Sequence, residues 1–389
     1  MYSHYVKRST NVSRLKTVKP RKEKVNRVKR DGDVKRRKKL PILPIVIVVL
    51  VAIVALVWAL PNLPKKPRQQ HNASYQGVVE LWNIETFEGG VGSREAWLKS
   101  RAAKFESANT GLFVHVTTLT VEQLEDKLAN GEMFDMICFS RGVGAIVKES
   151  LAEITDSVGF VKDNYLLSGQ VGGSQYAVPL YSGAYCLFAR VEQLSQDKLV
   201  ESALTQTYTR KVGKTNVELQ PLVCGFTPYN SPLSALAMSG GHGVPKLSVD
   251  VTQYQAYEQF VANRTAVTLL GTQRDMYRLS QKEANGKIEK LGFATLGGYT
   301  DLVQYVGVSR NAGDKANACL DYVKYLLSEQ TQATLVNLSM FSVLENTFYT
   351  TDRYAECERA LAKAYVPNVF GDGDAIARQR ETAIETLGY

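Results

Sequence analysis

The chain has 389 residues, 44% hydrophobic and 22% charged, with a formal net charge of +9 at pH 7. That length suits two packed lobes, and the composition excludes a wholly disordered, collagen-like or disulfide-scaffold protein. The basic excess is local: the first forty residues hold sixteen Lys or Arg against Glu23, Asp31 and Asp33, so the remainder is net acidic. This tail offers only Tyr2 and Tyr5 as aromatics and no stacking platform, which argues against nucleic acid as a partner.

In chain order, residues 1–39 read as a basic, disordered cytoplasmic tail. Residues 40–61 read as a transmembrane helix, because Ile42–Leu60 is almost entirely Ile, Val, Leu and Ala without a charge. At 1.5 Å per residue this run spans roughly 28 Å, close to the bilayer core. The preponderance of Lys and Arg before it places the N-terminus in the cytoplasm and the C-terminal part outside a single-pass cell-membrane anchor. The long n-region and the poor cleavage site Trp58-Ala59-Leu60-Pro61 argue against a removed signal peptide. Residues 62–76 read as a stalk, and 77–389 as the extracellular domain.

From Gly77 onward, short apolar strands alternate with helical patterns, which predicts an α/β architecture. Val78–Ile84, Leu112–Thr117 and Phe134–Phe139 read as strands. A helix at 95–109 carries Leu98, Ala102 and Phe105 on one face, and a second opens with a capping box at Thr120-Val121-Glu122-Gln123. Tyr176–Phe188 reads as extended, Val267–Leu270 and Leu291–Leu296 as strands. Asp314–Gln330 reads as a helix with the stripe Ala316, Leu320, Val323 and Leu327. The five cysteines are widely spaced with no C-x-x-C pair, a pattern that fits either buried core residues or one disulfide.

Several landmarks in this order resemble the extracellular solute-binding proteins of ABC importers, family 1, the sugar-binding group. Val79-Glu80-Leu81-Trp82 is similar to the family's opening strand, and Trp97–Phe105 to its W-L then F-E helix. Phe134-Asp135-Met136-Ile137 is similar to Pro-Asp-Ile-Val, Leu151–Asp156 to L-x-D-L-T-D, and Tyr176-Ala177-Val178-Pro179 to Y-G-V-P. Gly297-Gly298-Tyr299 and Asp314–Gln332 resemble the closing segments. The resemblance spans roughly residues 78–345. It implies a two-lobed, periplasmic-binding-protein-like type II fold with hinge crossovers, a polar small-molecule ligand such as an oligosaccharide, and ABC permease subunits as partners. The sequence departs from the family in its retained apolar helix and basic tail, and in Gln273 where a Trp commonly follows Gly-Thr.

Catalysis has little support. The H-E-x-x-H and G-x-S-x-G patterns are absent, and Gly213-Lys214-Thr215 lacks the first glycine of a P-loop. No enzyme activity, cofactor or metal is expected. Glu85 and Glu88 follow the first strand, where carboxylates serve either as cleft-rim acceptors for hydroxyls or as a solvated loop. The resemblance adds Trp82, Ser140, Arg141, Tyr181, Ser182, Tyr185, Gln273, Arg274, Gly297, Gly298 and Tyr299 as ligand-facing positions, with core packing the competing assignment for the tyrosines. A membrane-anchored sensor or scaffold using the same fold is the alternative function.

Overall fold

The computed structural model describes residues 71–388 apart from 157, 191–199, 201–207, 244–246, 248–250 and 351. The expected tail at 1–39, the span at 40–61 and the first part of the stalk lie outside the described residues. Among the described residues no helix is long and apolar enough to cross a membrane.

The strands are β1 His71–Ile84, β2 Asn109–Leu119, β3 Met136–Ser140, β4 Gln170–Val171, β5 Ser174–Gln175, β6 Val178–Ser182 and β7 Tyr185–Arg190. They continue with β8 Tyr208–Val212, β9 Thr215–Cys224, β10 Ala266–Thr272, β11 Leu291–Thr295 and β12 Val303–Val308. Two five-stranded sheets result, ordered β2-β1-β3-β12-β6 and β11-β7-β10-β9-β8. The first sheet runs parallel through β2, β1 and β3 and then reverses at β12, which pairs antiparallel with both β3 and β6. β3, β6 and β12 are buried along their whole length, as strands covered on both faces must be. β1 begins at His71, ahead of Gly77, with a register shift between Asn72 and Gly77.

Helix α1, Arg94–Glu106, is capped by Ser93, whose side chain accepts from the Ala96 amide. It buries Leu98, Ala102 and Phe105 as the sequence predicts, with Trp97 in addition. α2, Val121–Ala129, carries the expected capping box between Thr120 and Gln123. The helices α3 Pro232–Met238 and α4 Gln273–Ala284 belong to the second lobe, and α5 Ala316–Leu326 to the first. α6 Asp352–Leu361 packs on β11, and α7 Gly373–Leu387 on α3. The buried face of α5 is Ala318, Cys319, Tyr322, Val323 and Leu326; of the expected stripe, Val323 and Leu327 are buried and Ala316 and Leu320 pack half-buried against the core. Tyr322 sets that phase, because its ring packs 5.1 Å from Phe105. The Gly213-Lys214 pair is the hairpin turn between β8 and β9.

Candidate ligand-binding cleft

The chain passes between the lobes at three places, the first of which touches the other two. β6 runs into β7 through Gly183 and Ala184, and the segment after β11 returns through Leu302 to β12. A third passage leaves the first lobe near Phe341 and reaches α6. Ser182 and Phe341 exchange both backbone hydrogen bonds at 2.9 Å, and the Gly183 amide donates to the Leu302 carbonyl at 2.6 Å.

At this pivot lies a buried polar cluster centred on Asp301. The Tyr185 hydroxyl donates to Oδ1 at 2.7 Å; the Tyr299 hydroxyl and the Ser231 amide donate to Oδ2 at 2.8 and 2.7 Å. Arg141, at the end of β3, donates to the Tyr299 hydroxyl at 3.0 Å and stands 3.6 Å from the same carboxylate. Burial and the neighbouring carboxylate push both phenols well above their usual range, so both stay protonated and donate to Asp301. The cluster joins the first lobe, through Arg141, to the second, through Ser231 and Tyr185.

Farther out, the loop that follows β1 faces the N-terminal turn of α4. Gln273 exchanges hydrogen bonds with Ala184 at the hinge: its amide donates to the Ala184 carbonyl and its Oε1 accepts from the Ala184 amide at 2.9 Å. Its Nε2 reaches the Glu88 carbonyl at 3.4 Å. Arg274 donates to the Gly90 carbonyl at 2.9 Å, while Arg274 and Arg278 approach the Glu88 carboxylate at 3.6 and 3.5 Å. Tyr229 packs so closely on Gly142 that a Cβ there would lie 2.4 Å from the ring. The lobes therefore meet through side chains at the rim as well as at the pivot.

At this rim is a hollow of about 490 Å³, within the size range of small-molecule sites. Glu85, Glu88, Arg94 and Thr118 line it from the first lobe; Thr227, Gln253 and Arg274 line it from the second. Arg94 is only 5% exposed. Its Nε donates to Glu85 at 3.0 Å and its NH2 to the Phe87 carbonyl at 2.5 Å, with the guanidinium 4.5 Å above the Phe87 ring. Asn83 supports Glu85 from the other side at 3.0 Å. The lining is thus a set of oriented carboxylates, guanidiniums and hydroxyls, suited to hydrogen bonding a polar solute. A slightly larger hollow of about 550 Å³ near Phe160 and Lys324 lies on the outer face of the first lobe and involves one lobe only.

No protein-family model matches the chain, and no curated protein matches it in sequence. Among solved structures, it is similar to the GacH receptor of Streptomyces glaucescens, described unliganded and with acarbose, at 13% identity and a TM-score of 0.52 over 80% of this chain and 99% of that one. It is similar to maltose-bound MalE3 of T. maritima at 15% identity and a TM-score of 0.51, over 80% and 98%. It is also similar to the sugar-binding protein MalE of Xanthomonas citri at 14% identity and a TM-score of 0.51, over 80% and 97%. The chain has the type II periplasmic-binding-protein-like fold.

Within this binding-protein fold, the expected site residues divide. Glu85, Glu88 and Arg274 line the hollow, and Gln273 stands at its hinge side. Arg141, Tyr185 and Tyr299 come together, but as the Asp301 cluster, with their hydroxyls and guanidinium directed at one another. Tyr299 is fully buried and stacked 6.2 Å from Tyr365. Tyr181 is buried against Trp97 at 5.8 Å, so its ring is a core ring. Ser182 accepts from the Tyr165 hydroxyl at 3.1 Å, and Ser140 donates to Gln304 at 2.7 Å, tying β3 to β12. Trp82 lies beneath α2, 5.4 Å from Phe134 with Lys127 over its ring, because the alternation of β1 turns it toward the helix layer.

Gly297 and Gly298 are spacers and do not face the hollow: a Cβ would fall 2.5 Å from the Ala360 Cβ and 2.4 Å from the Met238 carbonyl oxygen, respectively. The expected aromatic stacking surface is thus corrected to core packing. The lining residues that sequence reasoning missed are Arg94, Thr118, Thr227 and Gln253, and it also missed Asp301 at the pivot.

Asp275 caps α4 by accepting from the Thr272 amide at 3.0 Å and sits 3.3 Å from Arg278. Burial outweighs both and raises its carboxyl from 3.8 to about 6. A carboxyl raised on folding holds its proton better in the native state. Stability contributed by Asp275 therefore falls as pH rises from about 4 to about 6 and is level above that. Glu358 is raised too, with the same sign, so the informative quantity is the difference between proteins. Urea unfolding at successive pH values is expected to show a flatter acid-side dependence in Asp275→Asn than in wild type. Parallel curves would remove Asp275 as the cause.

Proposed function

We propose that the chain is a membrane-anchored extracellular solute-binding protein that captures a polar small molecule, an oligosaccharide, between its lobes and delivers it to an ABC permease without catalysing a reaction. One observation carries this reading: a polar hollow lined from both lobes, with Gln273 beside its Arg274 wall bonded to the Ala184 crossover. Such an arrangement lets ligand contacts on both walls draw the lobes together about the crossovers. The fold neighbours named for acarbose, maltose and sugar binding support the solute class. The charge-free run at 42–60 and the basic residues before it support an anchor with the N-terminus inside.

The test is thermal unfolding of the full chain in mild detergent against oligosaccharides, amino acids, polyamines and anions. Maltooligosaccharides are expected to raise Tm saturably, since a ligand at a hundred times its Kd stabilises by about 2.7 kcal/mol. A shift only with another class would keep the binding role and overturn the sugar. Cooperative unfolding with no shift in any class would favour the sensor or scaffold. The anchor is tested separately: protease added to intact cells is expected to digest the C-terminal domain and spare residues 1–39.

A further inference from the structure

All five cysteines are buried and free. Cys224 donates to the Gly225 carbonyl at 3.5 Å, and Cys319 lies 4.0 Å from the Asp135 carbonyl. Cys186 and Cys357 differ from these, because their sulfur atoms face each other at 3.6 Å across 171 residues of sequence. Cys186 lies on β7, just beyond the first crossover, and Cys357 on α6, just beyond the third. Both sulfurs lie in one apolar cluster of the second lobe with Phe188, Phe341 and Leu361. Bond formation requires the sulfurs to approach by about 1.5 Å, a movement within the reach of side-chain rotation.

We propose that Cys186 and Cys357 are an oxidation site, forming a structural disulfide that fastens α6 to β7 when the chain folds in the presence of a disulfide oxidant. The oxidant is a thiol–disulfide oxidoreductase or oxidised glutathione. The thiolate of one cysteine attacks the oxidant's disulfide, giving a mixed disulfide and releasing one thiol. The second cysteine's thiolate then displaces the other thiol, so that one S–S bond forms, one is broken, and the two protons finish on the released thiols. Exchange takes place before the core closes, because both sulfurs are fully buried in the finished lobe. Burial also pushes the Cys186 thiol well up, so a reduced pair forms little attacking thiolate once the lobe has closed. Both ends lie in the same lobe, so the bond constrains the unfolded chain and leaves hinge motion free.

The experiment refolds the full chain in detergent with a mixture of reduced and oxidised glutathione, followed by denaturation, alkylation and peptide mapping. The expected result is a Cys186–Cys357 linked peptide, lighter than its two parts by the mass of two hydrogen atoms, with Cys138, Cys224 and Cys319 alkylated. The oxidised protein is expected to melt about 10 °C above the reduced one, a difference that Cys357→Ala abolishes. Full alkylation of Cys186 and Cys357, or pairing of either with another cysteine, would overturn the assignment. The peptide map needs no variant, so it decides the question even where Cys357→Ala fails to fold.

Discussion

Asp301→Ala is expected to destabilise the protein by about 3–5 kcal/mol, the range for removing one partner from a buried ion pair. The substitution leaves the Arg141 guanidinium, 5% exposed, without its carboxylate, and strips the acceptor from two buried phenols and the Ser231 amide. Tyr185→Phe removes one donor only and is expected to cost about 1 kcal/mol. Asp301→Asn keeps one acceptor oxygen but leaves Arg141 uncompensated, and falls between the two. The urea midpoint, with the slope checked for constancy, measures these losses. A loss below about 1 kcal/mol for Asp301→Ala would mean that water enters and replaces the cluster. In that case the pivot is not held by this carboxylate.

Arg94→Ala is expected to act on both stability and binding. Its guanidinium joins Glu85 to the Phe87 carbonyl and covers the Phe87 ring, so the loop that forms the first-lobe wall of the hollow depends on it. Hydrogen bonds to charged groups carry about 1.5–3 kcal/mol, and Glu85 is 26% exposed, so the stability loss is expected near 2 kcal/mol. The larger consequence is functional: with Glu85 no longer oriented and the Phe87 loop released, affinity for the ligand that raises Tm is expected to fall more than tenfold. Arg94→Lys restores the charge but not the forked geometry, and should recover only part of the affinity. Calorimetric titration of the three proteins separates these outcomes. Unchanged affinity in Arg94→Ala would exclude this wall from ligand contact.

The sequence patterns that located strands and helices did so where burial follows one simple period. Leu98, Ala102 and Phe105 were legible because a helix with one apolar face repeats every three to four residues. On α5 the same rule found Val323 and Leu327 but missed Cys319 and Tyr322, which are core residues although one is small and the other ends in a hydroxyl. Glu85 and Glu88 were legible because they stand just beyond β1, where a crevice forms in open α/β folds, and Arg274 through the family resemblance. Asp301 was not, since nothing local marks a single carboxylate. Its partners at Arg141, Tyr185 and Ser231 are brought to it only by the crossovers. The aromatic residues misled in the opposite sense. Tyr181 and Tyr299 sit where a ligand platform was expected, but the interior uses their rings as filling, and the hollow is lined by charged and hydroxyl groups instead.

The position of β12 has a consequence for how the polypeptide is made. This strand, residues 303–308, is inserted between β3 and β6, which end at residues 140 and 182. During synthesis the first sheet therefore waits, with two unsatisfied inner edges, until the whole second sheet has emerged. Exposed edges of this kind invite pairing with other chains, and such distant strand pairing is slow. Nascent chains that terminate before Val303 should accordingly be captured by chaperones or degraded rather than accumulate as a half-sized binding protein.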